Sequence, residues 1–187
     1  FINQKYAYFE KTKFIEKKLE QCFLHTEDPR ISMQNLLSLV FRMDIKVAKE
    51  NNLNYSKGVF RFHGSGKSFK IHRDSAHYEA IGYQVSNLPL QFSAVLHLQQ
   101  AEYGGELILY RKTWTSDDEK YRFPYFGYSE EVVQDIESIR IKPETGDIVI
   151  INPIYYHTIS KIKGKYDRIS AGFFFAPTTE QKLICWA

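Results

Sequence analysis

The sequence predicts a mainly β domain, an antiparallel sandwich or barrel preceded by helices. Apolar side chains recur at helical spacing up to about residue 54, and from residue 57 onward they alternate with a period of two. Turn-forming segments separate the alternating runs at short intervals. With 187 residues, 43% of them hydrophobic and 16% aromatic, the chain is long enough to bury one core. We therefore expect a single domain over residues 1–187, with a helical part at 1–54 and a β core at 57–187.

Two amphipathic helices are expected in the helical part. The first spans about residues 6–25, where apolar side chains recur every three to four residues. The second begins at Asp28 and Pro29, because aspartate caps a helix and proline fits its first turn. We expect this helix to continue to about Asn51.

The alternating runs that follow predict a series of strands. Val59–His63 and Ser68–Asp74 are expected to form a hairpin around the glycine-rich turn between them. Gln91–Gln99 is strongly apolar, which predicts a strand in the middle of a sheet. The double glycine that begins at Gly104 predicts a tight hairpin turn to a paired strand at Leu107–Tyr110.

The longest irregular segment, residues 112–138, is dense in aromatic side chains. Loops of this length are often lids or binding elements, although an insertion whose rings only pack on the surface has the same composition. Both interpretations stay open. The remaining strands are expected at residues 139–141, 147–151, 155–160, 168–175 and 183–186.

A candidate metal site lies at the end of the second strand. Side chains at positions i and i+2 of an extended strand leave the same face, so His72 and Asp74 can reach one point in space. This pair alone is a common pattern, and a metal site needs a third ligand. His157, on a late strand, completes a set of two histidines and one carboxylate, which is typical of non-haem Fe(II) oxygenases.

A cation is expected beside this metal site. Eleven residues separate His157 from Arg168, a distance that suits a hairpin returning the guanidinium to the metal. Ser170 follows two residues later and therefore shares a strand face with Arg168.

From about Phe60 to Phe175 the chain resembles Fe(II)- and 2-oxoglutarate-dependent dioxygenases of the prolyl-hydroxylase-like branch. The matching segments, in order, are His72-Arg73-Asp74, Ser93–Leu98, Tyr103–Leu107, Thr145–Val149, His157 and Arg168–Ser170. Each segment is short, but their order and spacing together are specific. The resemblance implies a double-stranded β-helix, a jelly-roll fold.

The resemblance also implies a role for each residue of the site. His72, Asp74 and His157 would hold Fe(II). Arg168 would take the distal carboxylate of the cosubstrate 2-oxoglutarate in a charge-assisted contact, and Ser170 would add a hydroxyl donor. The reaction would consume O2 and release succinate and CO2.

Two positions bear on the chemistry. In related radical halogenases the carboxylate ligand is replaced by glycine or alanine, which opens a coordination site for chloride, whereas this chain carries Asp74. The resemblance therefore implies hydroxylation, with desaturation or ring formation left open. His97 stands where this branch often has a tyrosine that contacts the cosubstrate, and it is either such a contact or a satisfied core histidine.

The substrate is the least determined part. The segment that ends at Trp114 is similar to small free-standing bacterial oxygenases that act on amino acids or specialised metabolites. Arg111 and Trp114, at the root of the insertion, are expected to contact a substrate with an apolar body and an anionic group. A peptidyl hydroxylase of the prolyl type and a non-catalytic binding module are the alternatives.

Composition bounds the partners and the compartment. The 25 basic and 22 acidic residues are spread along the chain, so we expect no nucleic-acid partner, and no apolar run is long enough to predict a membrane span. Two distant cysteines are expected to be thiols of a reducing compartment, the cytoplasm. The sequence begins at Phe1 rather than at a methionine, as in chains from which leader residues have been removed or omitted. Nothing in the sequence predicts the oligomeric state.

Overall fold

The computed structural model describes residues 2–187, with side chains from residue 4 onward. Both expected helices are present, α1 at Ile2–Cys22 and α2 at Pro29–Phe41. The start of α2 follows the prediction, because the carboxylate of Asp28 accepts a hydrogen bond from the backbone N–H of Arg30 at 3.0 Å.

The end of α2 differs from the prediction. The helix stops at Phe41, and Arg42 takes a left-handed conformation with φ of 54°. The N–H of Met43 then donates to the carbonyl of Ser38, which closes the helix in the manner of a C-terminal cap. Residues 45–54 are consequently strands, and the prediction that the helical part extends to residue 54 is wrong.

The chain after α2 forms strands β1 to β12 and one short α-helix, α3, at Ala76–Glu79. It also forms three short 3-10 helices, at Gln84–Asn87, Ser116–Tyr121 and Glu130–Val133. The strands are β1 Ile45–Val47, β2 Lys49–Glu50, β3 Leu53–Asn54, β4 Val59–His63, β5 Phe69–His72, β6 Phe92–Gln99, β7 Leu107–Thr113, β8 Ser138–Ile141, β9 Ile148–Ile151, β10 Tyr155–Ile159, β11 Arg168–Pro177 and β12 Leu183–Trp186.

These strands form two antiparallel layers. The larger sheet has the order β1-β12-β11-β6-β9, with β4 also paired to β11, and only the β1–β12 pair is parallel. The smaller sheet has the order β5-β10-β7-β8. β6 lies between two neighbours, so its predicted central place is confirmed. β2 and β3 pair only with each other.

The three predicted hairpins are connections between the two sheets. β4 pairs with β11 while β5 pairs with β10, and β6 pairs with β9 and β11 while β7 pairs with β8 and β10. β10 and β11 are likewise in different sheets. The predicted strands are therefore confirmed but their pairing is wrong, because alternation marks a strand without identifying its partner.

The double glycine does more than turn the chain. Gly104 and Gly105 both have positive φ angles, 71° and 73°. A Cβ atom on Gly104 would lie 2.0 Å from the carbonyl oxygen of Lys161, and one on Gly105 would lie 3.2 Å from Cδ of Arg168. Both positions need glycine because backbone and side chain from the β10–β11 connection pass against them.

A buried ion cluster attaches the helices to the larger sheet. The side chain of Arg30 is fully buried and contacts the carboxylates of Glu16, at 2.9 Å, and Asp28, at 2.7 Å. The same guanidinium donates to the carbonyl of Gly58, just before β4. Its pKa is raised, because these two carboxylates outweigh the opposing effect of burial.

None of the helices within residues 2–187 is both long and apolar enough to cross a membrane. Both cysteines are free thiols, Cys22 on the surface and Cys185 in the interior.

We expect Arg30→Ala to lower the free energy of unfolding by about 3–5 kcal/mol, because it leaves buried carboxylates without their cation. The measurement is urea denaturation followed by circular dichroism. Arg111→Ala is the matched control, since Arg111 pairs with Glu137 on the surface and should cost less than about 1 kcal/mol. Equal losses in the two variants would contradict a structural role for the cluster.

Candidate active site

Three potential metal ligands meet in a cavity of about 290 Å³ between the two sheets. His72 ends β5 and lies directly opposite His157 in β10. Asp74 follows in the loop, where its backbone N–H donates to the carbonyl of Pro153 at 2.9 Å. The Asp74 Oδ2 atom is 3.5 Å from His157 Nε2 and 3.9 Å from His72 Nε2. One ligand atom from each residue lies within 4.8 Å of the other two, as a single metal ion requires.

Both histidines present the correct nitrogen to this point. His72 Nδ1 lies 2.8 Å from the carbonyl of Lys70, and His157 Nδ1 lies 2.9 Å from the carbonyl of Tyr155. A carbonyl only accepts, so each Nδ1 carries the proton and each Nε2 keeps its lone pair. The outer hydrogen bonds thus fix the tautomer that binds a metal.

The charge states suit a cation. Burial, together with the neighbouring His157, lowers the pKa of His72 to about 4, so this imidazole is neutral at pH 7. Burial tends to raise the pKa of Asp74, but the adjacent His157, His72 and Arg61 outweigh it and lower that pKa below its usual value. Two imidazoles, of which that of His72 is neutral, and one carboxylate form the donor set expected of an Fe(II) site.

Two guanidinium groups line the same cavity. Arg168 is buried, and within the described chain its guanidinium donates one hydrogen bond, to the hydroxyl of Ser170 at 3.4 Å. No carboxylate of residues 4–187 lies within salt-bridge distance of Arg168, and its Nε is buried without a partner. Burial and the charge of Arg61 lower its pKa to about 10. A buried cation without an acidic partner is costly unless an anion binds there.

Arg61 and His63 extend this basic wall and were missed by the sequence analysis. In β4 they lie opposite Ser170 and Arg168 of β11, so all four side chains face the cavity. The buried Nδ1 of His63 has no partner among the described residues. In the sequence, Arg61 and His63 alternate with Phe60 and Phe62, which indicates that the two pairs lie on opposite faces of the strand. Apolar side chains usually mark the inward face, but here Phe62 is 66% exposed and the basic pair lines the cavity.

His97 has the opposite tautomer to the metal-site histidines. It is buried in the cavity wall, with Nδ1 2.7 Å from the side-chain nitrogen of Gln100. An amide nitrogen only donates, so Nδ1 accepts and the proton lies on Nε2. Burial and the charge of Arg168 lower the pKa of His97 to about 4. His97 is therefore a neutral imidazole whose Nε2–H can donate a hydrogen bond to a carboxylate in the cavity.

The insertion at residues 112–138 reaches the metal site through Phe126. This ring lines the cavity and lies 5.1 Å from the ring of His72 and 5.7 Å from that of Phe69. The next residue, Gly127, approaches β5 so closely that a Cβ would lie 2.8 Å from the carbonyl of Ile71. The insertion therefore packs against β5, and its role as a lid stays a prediction.

The structure does not bring the two expected substrate residues to the cavity. Arg111 points to solvent and pairs with Glu137 at 3.1 Å. Trp114 lies outside the cavity wall, and Arg73 is held 4.9 Å from the rings of both Trp114 and Tyr78. Trp114 therefore supports the chain between the metal ligands, and the substrate role predicted for both residues gains no support from the geometry.

The comparisons with known proteins agree with this fold and site. A family profile described as "Carrier-protein-independent halogenase WelO5" matches residues 3–187. A curated relative from Purpureocillium lilacinum, "Leucinostatins biosynthesis cluster protein S", is 30% identical over 156 residues, or 78% of this chain. The chain spans 63% of the length of that relative.

Two solved structures share the fold. Both are of an N-substituted L-amino acid dioxygenase from Burkholderia ambifaria AMMD. The first has a TM-score of 0.72, and the second, in complex with alpha-KG, has a TM-score of 0.65. Each is 15% identical, and the match covers all of this chain and 71% of the other. The predicted jelly-roll fold and the resemblance to 2-oxoglutarate-dependent oxygenases are confirmed, and with them, at the level of the family, iron and 2-oxoglutarate.

We expect His72→Ala to weaken Fe(II) binding by at least about 100-fold, because losing only the outer partner of a metal ligand already costs about 10–100-fold. Anaerobic equilibrium dialysis measures this. His77→Ala is the control, since His77 lies outside the ligand cluster and should bind Fe(II) as the unmodified protein does. Unchanged Fe(II) binding by His72→Ala would exclude this metal site.

Proposed function

This chain belongs to the family of carrier-protein-independent halogenases, and from that premise we propose that it hydroxylates an unactivated C–H bond of a small molecule. The observation that carries the proposal is the carboxylate of Asp74, 3.5 Å and 3.9 Å from the Nε2 atoms of His157 and His72. In related radical halogenases, glycine or alanine takes this place and leaves a position for chloride. Asp74 fills that position, which favours hydroxylation over halogenation.

The side chains around the metal position have separable tasks. His72 and His157 offer lone pairs in a fixed tautomer, and Asp74 supplies a negative charge that offsets part of the charge of Fe(II). Phe126 and Phe69 cover one side of the cavity with apolar surface and so limit the access of water. When bound, Fe(II) with 2-oxoglutarate provides the oxidising power that O2 chemistry at a C–H bond requires.

The basic wall of the cavity suits a dicarboxylate. Arg168, Ser170 and His63 would bind the distal carboxylate, with Arg168 as its charge partner. Arg61 lies near enough to Asp74 to affect its pKa, so it would meet the carboxylate that lies toward the metal. The Nε2–H of His97 is a further donor. Two guanidinium groups in one cavity match the two negative charges of 2-oxoglutarate.

The stoichiometry closes with these reactants. One oxygen atom of O2 enters the substrate C–H bond as a hydroxyl group, and the other enters succinate, which forms as 2-oxoglutarate loses CO2. The relative named for a leucinostatins biosynthesis cluster supports a specialised metabolite as the substrate class.

With Fe(II), 2-oxoglutarate, O2 and chloride present, we expect a screened metabolite to gain one oxygen atom and no chlorine, as judged by mass spectrometry. Asp74→Ala should abolish iron-dependent succinate formation, because the third protein ligand is lost. Asp117→Ala, at an exposed position, is the control and should keep full activity. A chlorinated product from the unmodified protein would overturn the proposal.

We expect Arg168→Lys to raise the KM for 2-oxoglutarate by about tenfold to a hundredfold, since a hydrogen bond to a charged group contributes about 1.5–3 kcal/mol. The value of kcat should change much less, because Arg168 binds the end of the cosubstrate away from the metal. Succinate formation measured across cosubstrate concentrations gives both constants. Arg111→Lys is the matched control, and equal effects in the two variants would remove Arg168 from the cosubstrate site.

A further inference from the structure

A second cavity, of about 210 Å³, adjoins the first one at Asp74, whose side chain lines both. Its walls come from α1, α3, β11 and β12 and from the loop that follows α3. Glu79 is exposed and Tyr83 is partly exposed, so this cavity opens to solvent. It therefore offers a route from the surface to the proposed metal ligand.

The register of β11 places this cavity at the opposite end from the cosubstrate wall. Even-numbered residues of β11 share one face of the strand: Arg168 and Ser170 line the first cavity, and Phe174 lines the second. At a rise of about 3.3 Å per residue, Arg168 and Phe174 are about 20 Å apart along the strand. A molecule in the second cavity would thus leave Arg168 to 2-oxoglutarate.

The walls of the second cavity are mainly aromatic faces. Tyr8 packs edge-on against Tyr83, with ring centroids 5.7 Å apart, and Phe174 lies 6.2 Å from Trp186. The hydroxyl of Tyr8 is already engaged with backbone groups, and that of Tyr55 donates to Glu50. These tyrosines consequently present carbon surface, which suits an apolar ring.

The charges at this cavity are acidic. Among its lining residues, all within the described part of the chain, Asp74 and Glu79 are acidic and none is lysine, arginine or histidine. One carboxylate oxygen of Glu79 pairs with Arg73 at 3.2 Å. The ammonium of Lys5 lies 5.2 Å from the ring of Tyr83, but it is already paired with a carboxylate outside the cavity. An anionic group would therefore meet carboxylates and no unpaired basic side chain at the cavity wall, while a neutral or basic group would not be repelled.

We propose that this aromatic cavity is the substrate site, and that it takes a small molecule with an apolar ring whose polar groups are neutral or basic. The inference rests on the proposed hydroxylase function and names its substrate class. It replaces the expectation of an anionic group, which depended on Arg111. A ring held against Phe174 and Trp186 places a C–H bond on the Asp74 side of the metal position.

Three probes that share one ring test the charge preference: 2-phenylethanol, 2-phenylethylamine and phenylacetate. Their affinities are measured on the full chain by isothermal titration calorimetry, once without iron and once anaerobically with Fe(II), in both cases with 2-oxoglutarate present. We expect the alcohol and the amine to bind, and phenylacetate to bind at least about tenfold more weakly because like charges repel. Equal or tighter binding of phenylacetate would overturn the proposal.

Ala80→Phe tests the location, because its ring would fill the cavity beside Tyr83. We expect it to weaken 2-phenylethylamine binding by about tenfold or more, because the added ring would occupy the space that the probe needs, while 2-oxoglutarate affinity stays unchanged. Ala7→Phe, on the exposed surface of α1, is the matched control. Unchanged probe affinity in Ala80→Phe would place the substrate elsewhere.

A second variant and a second measurement keep the outcomes distinct. If Ala80→Phe does not fold, Glu79→Gln should reduce the difference in binding affinity between 2-phenylethylamine and phenylacetate. An unchanged difference in affinity would contradict the charge argument. Probe binding needs neither iron nor turnover, so failure of the hydroxylase proposal shows separately as the absence of iron-dependent succinate formation. If iron-dependent succinate forms but the three probes bind with equal affinity, only the proposed substrate site is rejected.

Discussion

The candidate site depends on the antiparallel pairing of β5 with β10. This pairing sets His157 opposite His72, with the two ring centroids 4.2 Å apart. The third ligand lies in the loop after β5, and the hydrogen bond from its N–H to the carbonyl of Pro153 ties that loop to the residues before β10. All three ligands are thus fixed to one pair of strands. A shift in this pairing would move all of them, whereas changes elsewhere in the larger sheet need not affect them.

A second constraint is electrostatic. The larger sheet brings the guanidinium groups of Arg61 and Arg168 to the same cavity, and Arg168 has no acidic partner among the described residues. Gly105 and Gly172 provide the room, since a Cβ on either would lie within 3.2 Å of the side chain of Arg168 or Arg61 respectively. Burying such cations is unfavourable, and a bound dicarboxylate offsets that cost. The same feature that reduces the stability of the free protein therefore favours the cosubstrate.

The sequence predicted the strands and the ligand triad far better than the pairing of the strands. His72, Asp74, His157 and Arg168 follow from motifs whose order is specific, and the structure brings all four to one cavity. Strand partners could not be predicted, because in a jelly roll neighbours in sequence cross between sheets and alternation is identical in either case. The role of Gly105 beside Arg168 depends on such a crossing, so it could not be seen locally.

The structure does not bring the two expected substrate residues to the cavity, for a related physical reason. Arg111 and Trp114 are near the insertion in sequence, but β7 pairs with β8 and β10, which directs Arg111 to solvent beside Glu137. The aromatic cavity instead combines α1, α3 and the ends of β11 and β12, four segments that no local pattern connects. Long-range packing decides which side chains meet there, and sequence spacing carries little information about it.

The position of Asp74 is the basis for our proposal that a member of a halogenase family hydroxylates its substrate. Its carboxylate lies beside two histidines whose positions are set by the pairing of β5 with β10. Replacing it by glycine or alanine would leave the strand pairing and the basic wall in place but would remove one carboxylate from the wall of the aromatic cavity. Under the proposed function, this single loop residue therefore bears on both the type of reaction and the charge of the substrate site. The rings of Phe174 and Trp186 line the proposed substrate cavity, and neither His72 nor His157 is among its lining residues. We infer that the type of reaction and the charge preference of the substrate site are linked through Asp74 in this fold, and that the family match alone determines neither.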